Sequence, residues 1–182
     1  MAKQRHLAVP ADRAIKALLF AGAVAVTFLP PLARQTLAGE WIADARGCRV
    51  WNPNPSAQEA VSWSGSCKDG FAEGEGVVEW SRNGLPYERN EGAWRRGRQG
   101  GHALQVWTTG RYEGEVRDGI PHGHGILVIG EARYEGEFSD GKPNGEGVLR
   151  NANGIFDGTW KSGCFRRGRE VASIGVDIAS CH

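Results

Sequence analysis

Residues 112–158 read YEGEVRDGIPHGHGILVIGEARYEGEFSDGKPNGEGVLRNANGIFDG, and the stretch repeats itself. Tyr112, Tyr134 and Phe156 stand 22 residues apart, as do Gly114, Gly136 and Gly158. Gly119 and Gly141, Gly123 and Gly145, Gly125 and Gly147, and Pro121 and Pro143 keep the same step. A fixed period in this range marks a repeat architecture, in which each unit buries its apolar face only by stacking on a neighbour.

Each unit has the make-up of a β-hairpin. Side chains alternate along a strand, so Tyr112, Gly114 and Val116 share one face, as do Tyr134, Gly136 and Phe138. Glu113, Glu115, Glu135 and Glu137 face the other way. Glycine between two large groups leaves room for a ring to lie over bare backbone. Asp118-Gly119 and Asp140-Gly141 are hairpin turn signals, and each is followed by an apolar run, Ile126–Val128 or Val148-Leu149.

The pattern extends both ways. Trp63, Gly65, Gly70, Gly74 and Gly76 form an earlier unit. The next begins 27 residues on, so Leu85–Arg89 reads as an insertion at a loop. That second unit departs most from the rule: Asn90 replaces the aromatic and Ala103 replaces the late glycine. A fifth unit holds Phe156, Gly158 and Trp160 and stops matching at Cys164. The expected fold is all-β: an elongated antiparallel meander of four to five hairpins, after an N-terminal signal or anchor helix. About nine strands at ~4.8 Å would spread over roughly 43 Å, and twist should curl them into a groove.

YEGEVRDGIPHGHG and YEGEFSDGKPNGEG closely resemble the MORN repeat (membrane occupation and recognition nexus), whose pattern is Tyr-x-Gly-x-Phe/Trp, a glycine turn, then Gly-x-Gly. The resemblance covers residues 61–165. It implies a non-catalytic role: binding membrane lipid, or serving as a protein-interaction or dimerising scaffold.

The flanks are of other materials. Residues 1–16 hold four basic residues, and Ala17–Leu29 is uncharged. Pro30-Pro31 and small residues ending in Ala38 follow. This fits a secretory signal cleaved after Ala38, with an uncleaved inner-membrane anchor or a cytosolic amphipathic segment as alternatives. The leading readings place the remainder in the periplasm, free or anchored. Residues 1–38 hold five of the 22 basic and one of the 21 acidic residues, so the remainder has 17 basic against 20 acidic and a net charge of −3. Nothing in that balance points to nucleic acid. Residues 39–60 read as an N-terminal cap, with one strand within Ile42–Trp51, and residues 166–182 as a C-terminal cap. The two caps would cover the sheet's edges.

No cysteine lies in a CxxC pair, which argues against a zinc site. Cys48 and Cys67 precede most of the repeats, and Cys164 and Cys181 follow them. The economical pairing is Cys48–Cys67 and Cys164–Cys181, with buried free thiols the alternative. Arg95, Arg96 and Arg98 flank one turn, and Arg166, Arg167 and Arg169 recur near the end. They are a candidate patch for anionic headgroups or an acidic partner; solvated hairpin tips are the plainer reading. His122 and His124, with His102 one repeat earlier, lack a carboxylate or cysteine fixed beside them by sequence, so no metal is expected. No nucleophile-elbow motif is present, and neither a catalytic site nor a cofactor is expected. Trp63, Trp80, Trp94, Trp107, Tyr112, Tyr134, Phe156 and Trp160 read mostly as core; any that line a groove would suit a peptide, lipid or sugar. The reading is a scaffold for a protein or envelope component, with homodimerisation through exposed sheet, or else a peripheral lipid binder. Function is expected where the regularity fails.

Overall fold

A computed structural model describes residues 39–181. These form one sheet of fourteen strands. The first four are short: β1 (Glu40–Ala43), β2 (Arg49–Asn52), β3 (Glu59–Trp63) and β4 (Ser66–Lys68). The long strands follow: β5 (Phe71–Arg82), β6 (Leu85–Arg95), β7 (Arg98–Trp107), β8 (Gly110–Arg117), β9 (Ile120–Ile129), β10 (Ala132–Ser139), β11 (Lys142–Asn151) and β12 (Gly154–Lys161). β13 (Cys164–Arg167), β14 (Glu170–Ser173) and a 3-10 turn at Ile178–Ser180 close the chain. From β5 to β14 every strand pairs antiparallel with the next. The segment preceding Gly39, including the expected signal or anchor helix, lies outside the described residues.

The turns explain the meander. Asp69-Gly70, Asn83-Gly84, Arg96-Gly97, Asp118-Gly119, Asp140-Gly141 and Ser162-Gly163 all place two successive residues at positive φ. That is the type I′ geometry whose twist matches paired strands. Arginine is a poor left-handed residue, and Arg96 is held there at φ 47°. Its backbone N–H donates to the Glu73 carboxylate at 2.8 Å.

One row of cross-strand partners runs through the array: Gly76, Gly92, Ala103, Gly114, Gly125, Gly136, Gly147 and Gly158. Rings lie over this row. A Cβ on Gly125 would stand 2.5 Å from Tyr112 Cζ, and one on Gly147 2.5 Å from Tyr134 Cζ. Each ring is then fastened by its polar tip. Tyr112 Oη donates to the Glu115 carbonyl at 2.7 Å, Tyr134 Oη to that of Glu137 at 3.1 Å, and Trp63 Nε1 to that of Ser66 at 2.7 Å. The same three-residue offset in all three units shows that the first-position aromatic has one job: cover the glycine row and satisfy a strand carbonyl. Burial, aided by nearby carboxylates, raises both tyrosines' pKa, Tyr134 to about 12, so each hydroxyl keeps its proton.

The rings also pack on each other. Tyr112–Phe138, Phe138–Tyr134 and Tyr134–Trp160 meet edge to face at 5.1, 5.2 and 5.1 Å. They form the C-terminal core with Leu149, Phe165 and Ala172. A second core gathers Val50, Val61, Trp63, Ala72, Val78, Trp80 and Trp94.

The caps and the insertion differ from expectation. Ile42–Trp51 supplies parts of two strands rather than one, because Asp44–Gly47 forms a turn. Asp44 holds that turn by accepting from the Arg46 and Cys48 N–H groups. Burial alone would raise its pKa; these bonds bring it below the usual value. Leu85–Arg89 is not a loop. It is the start of β6, paired with Glu79–Arg82 and Val106-Trp107, so the extra residues lengthen a hairpin. A bulge at Trp80/Ser81 absorbs the odd residue. The cysteines pair as Cys48–Cys67 and Cys164–Cys181, with Cα separations of 5.7 and 5.4 Å.

Candidate functional site

The two apolar cores are separated at the second unit. Where a ring should lie, Asn90 stands, 5% exposed, between cross-strand partners Val78 and Gln105. Gln99 fills the space beside Gly92, donating to the Glu91 carbonyl at 3.2 Å. Gln105 donates to Gln99 Oε1 at 3.0 Å and to the Gly119 carbonyl at 2.8 Å. Both glutamines are buried. With no ring above it, the row tolerates a methyl here, which is why Ala103 interrupts the glycines. The two departures seen in the sequence are one structural event.

A groove of about 650 Å³ opens at this place. Its lining runs from Asn52 and Trp80 through Asn90, Gln105 and Tyr112 to Ile174. A flat sheet would hold β5 and β14 roughly 43 Å apart. Their sharing one hollow therefore shows that the sheet curls. One end of the groove is aromatic and polar, with Trp51, Trp80, Tyr87, Trp94 and Trp107. The other is apolar, with Ile120, Leu127, Ile129 and Phe138.

The polar end is built around two carboxylates. Glu59, with its side chain 1% exposed, accepts from Asn52 Nδ2 at 2.8 Å, Ser56 Oγ at 2.6 Å, Tyr87 Oη at 2.7 Å and Arg82 Nη2 at 3.0 Å. Burial works against its charge, but these donors overcome it and hold the pKa below the usual value. Glu59 thereby ties the proline-rich loop to the array. Glu88 is different. Burial pushes its pKa up, opposed by an Asn90 Nδ2 bond at 2.8 Å, and no cation pairs with it among the described residues. Asn90 Oδ1 and Trp94 Nε1 are buried without a hydrogen-bond partner.

The arginines do not form one patch. The β6–β7 turn carrying Arg95 and Arg96 lies on the side of the array shared with the Asp118 and Asp140 turns. Arg166–Arg169 runs toward the other side, six strands from β7 in the sheet order. Arg98 is stacked 4.2 Å over Trp51 and paired with Asp118 at 3.3 Å, and Arg167 is bound to Glu170 at 2.9 Å. Arg95, Arg96, Arg166 and Arg169 remain exposed. Arg95 and Arg96 edge a second, open hollow of about 840 Å³ with Trp41 and Phe71.

His122 is half-buried and His124 exposed, on either side of Gly123 at φ 65°. No cluster of three or more His, Cys, Asp or Glu side chains able to hold a metal occurs among the described residues. No helix among them is long and apolar enough to cross a membrane.

The Asn90 and Ala103 departures were visible as breaks in a period. Gln99, Gln105, Glu59 and Glu88 carried no such signal, since each is an ordinary polar residue until the curl brings them together.

The fold defines a β-meander repeat protein with a hollow set in its least regular unit. The MORN repeat family matches residues 91–110, 112–129 and 134–155, so the chain carries three consecutive MORN repeats there. The matched spans are the second, third and fourth units. The Trp63 unit lies outside them, yet lays its ring over Gly65 and Gly76 as Tyr112 does over Gly125. No curated protein matches the chain significantly. MORN repeats generally bind proteins or membrane lipids.

Proposed function

We propose that the protein is an exported, non-catalytic scaffold that holds a protein or envelope component in the groove at its second unit. The observation that carries this is the groove itself: ligand sites are concave, aromatic-lined and furnished with a few placed polar groups, and here buried Asn90 and Trp94 retain unused hydrogen-bonding atoms. Two disulfide pairs support export to the periplasm, since such bonds persist in oxidising compartments. Mass spectrometry of the mature N-terminus distinguishes cleavage after Ala38 from a retained anchor. The functional test is recovery of envelope components on the wild-type protein and on Asn54→Arg/Ile129→Trp. That variant obstructs the rim at two exposed positions and spares the core. Equal recovery by both would place binding elsewhere.

A second reading has its own observation. Trp41, 37% exposed, sits beside Arg95 and Arg96 at one edge. An exposed tryptophan beside free cations suits an anionic membrane surface. Vesicle flotation tests it.

A further inference from the structure

We propose that the groove's ligand is a neutral saccharide. The inference rests on the groove being the binding site and names the chemistry that would fill it. Its floor is laid by three rungs between β6 and β7: Glu88 opposite Trp107, Asn90 opposite Gln105, and Trp94 opposite Gln99. At ~3.3 Å per residue, Glu88 and Trp94 stand roughly 20 Å apart, so the floor suits an extended oligomer.

Each rung sets an aromatic or an amide beside another polar group. Asn90 Oδ1 needs a donor and Trp94 Nε1 needs an acceptor, both being buried without one. Leaving such atoms unpaired costs about 1–3 kcal/mol each. A sugar hydroxyl donates and accepts at once, so one class of ligand serves both. The half-buried Trp107 meanwhile offers apolar area to the ring C–H groups.

Charge excludes the rival ligands. The guanidinium in the groove, Arg82, is already paired with Glu59 at 3.0 Å, while Glu88 is unpaired. A phosphate headgroup or acidic glycan would meet an uncompensated carboxylate. An acyl chain would leave Asn90 Oδ1 and Trp94 Nε1 without partners. A peptide could not add as a strand, because the groove lies on a sheet face whose backbone groups are paired in the ladder.

The test uses the purified full chain, titrated with malto-, cello- and chito-hexaose, with oligogalacturonate, and with a lysine-bearing hexapeptide. Tryptophan fluorescence and calorimetry are the readouts. Saturable binding of a neutral hexasaccharide is expected. Trp94→Phe keeps an aromatic ring and removes the N–H, and should weaken that binding about tenfold, the equivalent of one ~1.4 kcal/mol hydrogen bond. Asn90→Leu should weaken it similarly, and Arg166→Ala should leave it unchanged. Circular dichroism confirms that each variant is folded. Binding of only the acidic oligomer or the peptide, no binding of any neutral oligomer, or indifference to Trp94→Phe would each overturn the proposal. If saccharides fail while Asn54→Arg/Ile129→Trp still abolishes envelope capture, the groove remains the site and only its ligand class is refuted.

Discussion

Gly147→Ala tests the principle on which the array is built. Gly147 has ordinary backbone angles, so alanine there meets no conformational penalty. The penalty is steric. The new methyl would stand 2.5 Å from Tyr134 Cζ and 2.7 Å from Cε2. The ring cannot rise freely, because its hydroxyl is bound to the Glu137 carbonyl and its edges pack on Phe138 and Trp160. Overpacking costs about 1–3 kcal/mol, and the hydroxyl bond is worth about 1 kcal/mol. A loss of about 3 kcal/mol follows, or roughly 1.5 M in urea midpoint at an m of about 2 kcal/mol/M. Urea unfolding with the disulfides intact and fluorescence as the probe would measure it. Removing the ring should remove the clash, so Gly147→Ala/Tyr134→Leu should be no less stable than Tyr134→Leu alone. Ala103 supplies the natural contrast: its unit has Asn90 where the ring would be, and Ala103→Gly should cost only about 1–2 kcal/mol, from backbone entropy and one buried methyl. A loss below about 1 kcal/mol for Gly147→Ala would refute the ring-over-glycine account.

Three other outcomes are expected. Glu59 has a folded-state pKa below its ordinary value, so its contribution is present above pH 4.5 and is lost as pH falls through the folded value; Glu59→Gln should therefore flatten the acid limb of a stability–pH curve. Replacing Cys164 and Cys181 with serine opens a link spanning 17 residues and should cost about 3 kcal/mol by chain-entropy reasoning, with hydrogen exchange rising first in β14. On anionic vesicles, residues 39–182 carrying Arg95→Ala/Arg96→Ala should lose about thirtyfold in affinity if these side chains each contribute ~1 kcal/mol, whereas no flotation of the unsubstituted fragment rejects the lipid reading.

Local chemistry carried most of the fold. The 22-residue step, the Asp-Gly turns and the aromatic–glycine–apolar triplets each act over a few residues, so strands and turns from Trp63 onward were legible before any pairing was known. The cysteines follow the economical pairing, each partner within twenty residues of the other, a choice over free thiols that only the structure makes. Departures from the period were also visible: Asn90, Ala103 and the Leu85–Arg89 insertion. Their meaning was not. Whether an insertion bulges or extends a strand depends on the pairing of both neighbours, and here β5 and β7 were long enough to take it in. The arginine clusters are out of register with the repeat in sequence, and because turns alternate between two sides of a meander, the strand count puts them on opposite sides. The groove is wholly tertiary. Asn52, Glu59, Glu88, Gln105 and Ile174 are separated by up to 122 positions. They meet because twist, accumulated strand by strand, curls the sheet, and a curl has no signature in any one unit.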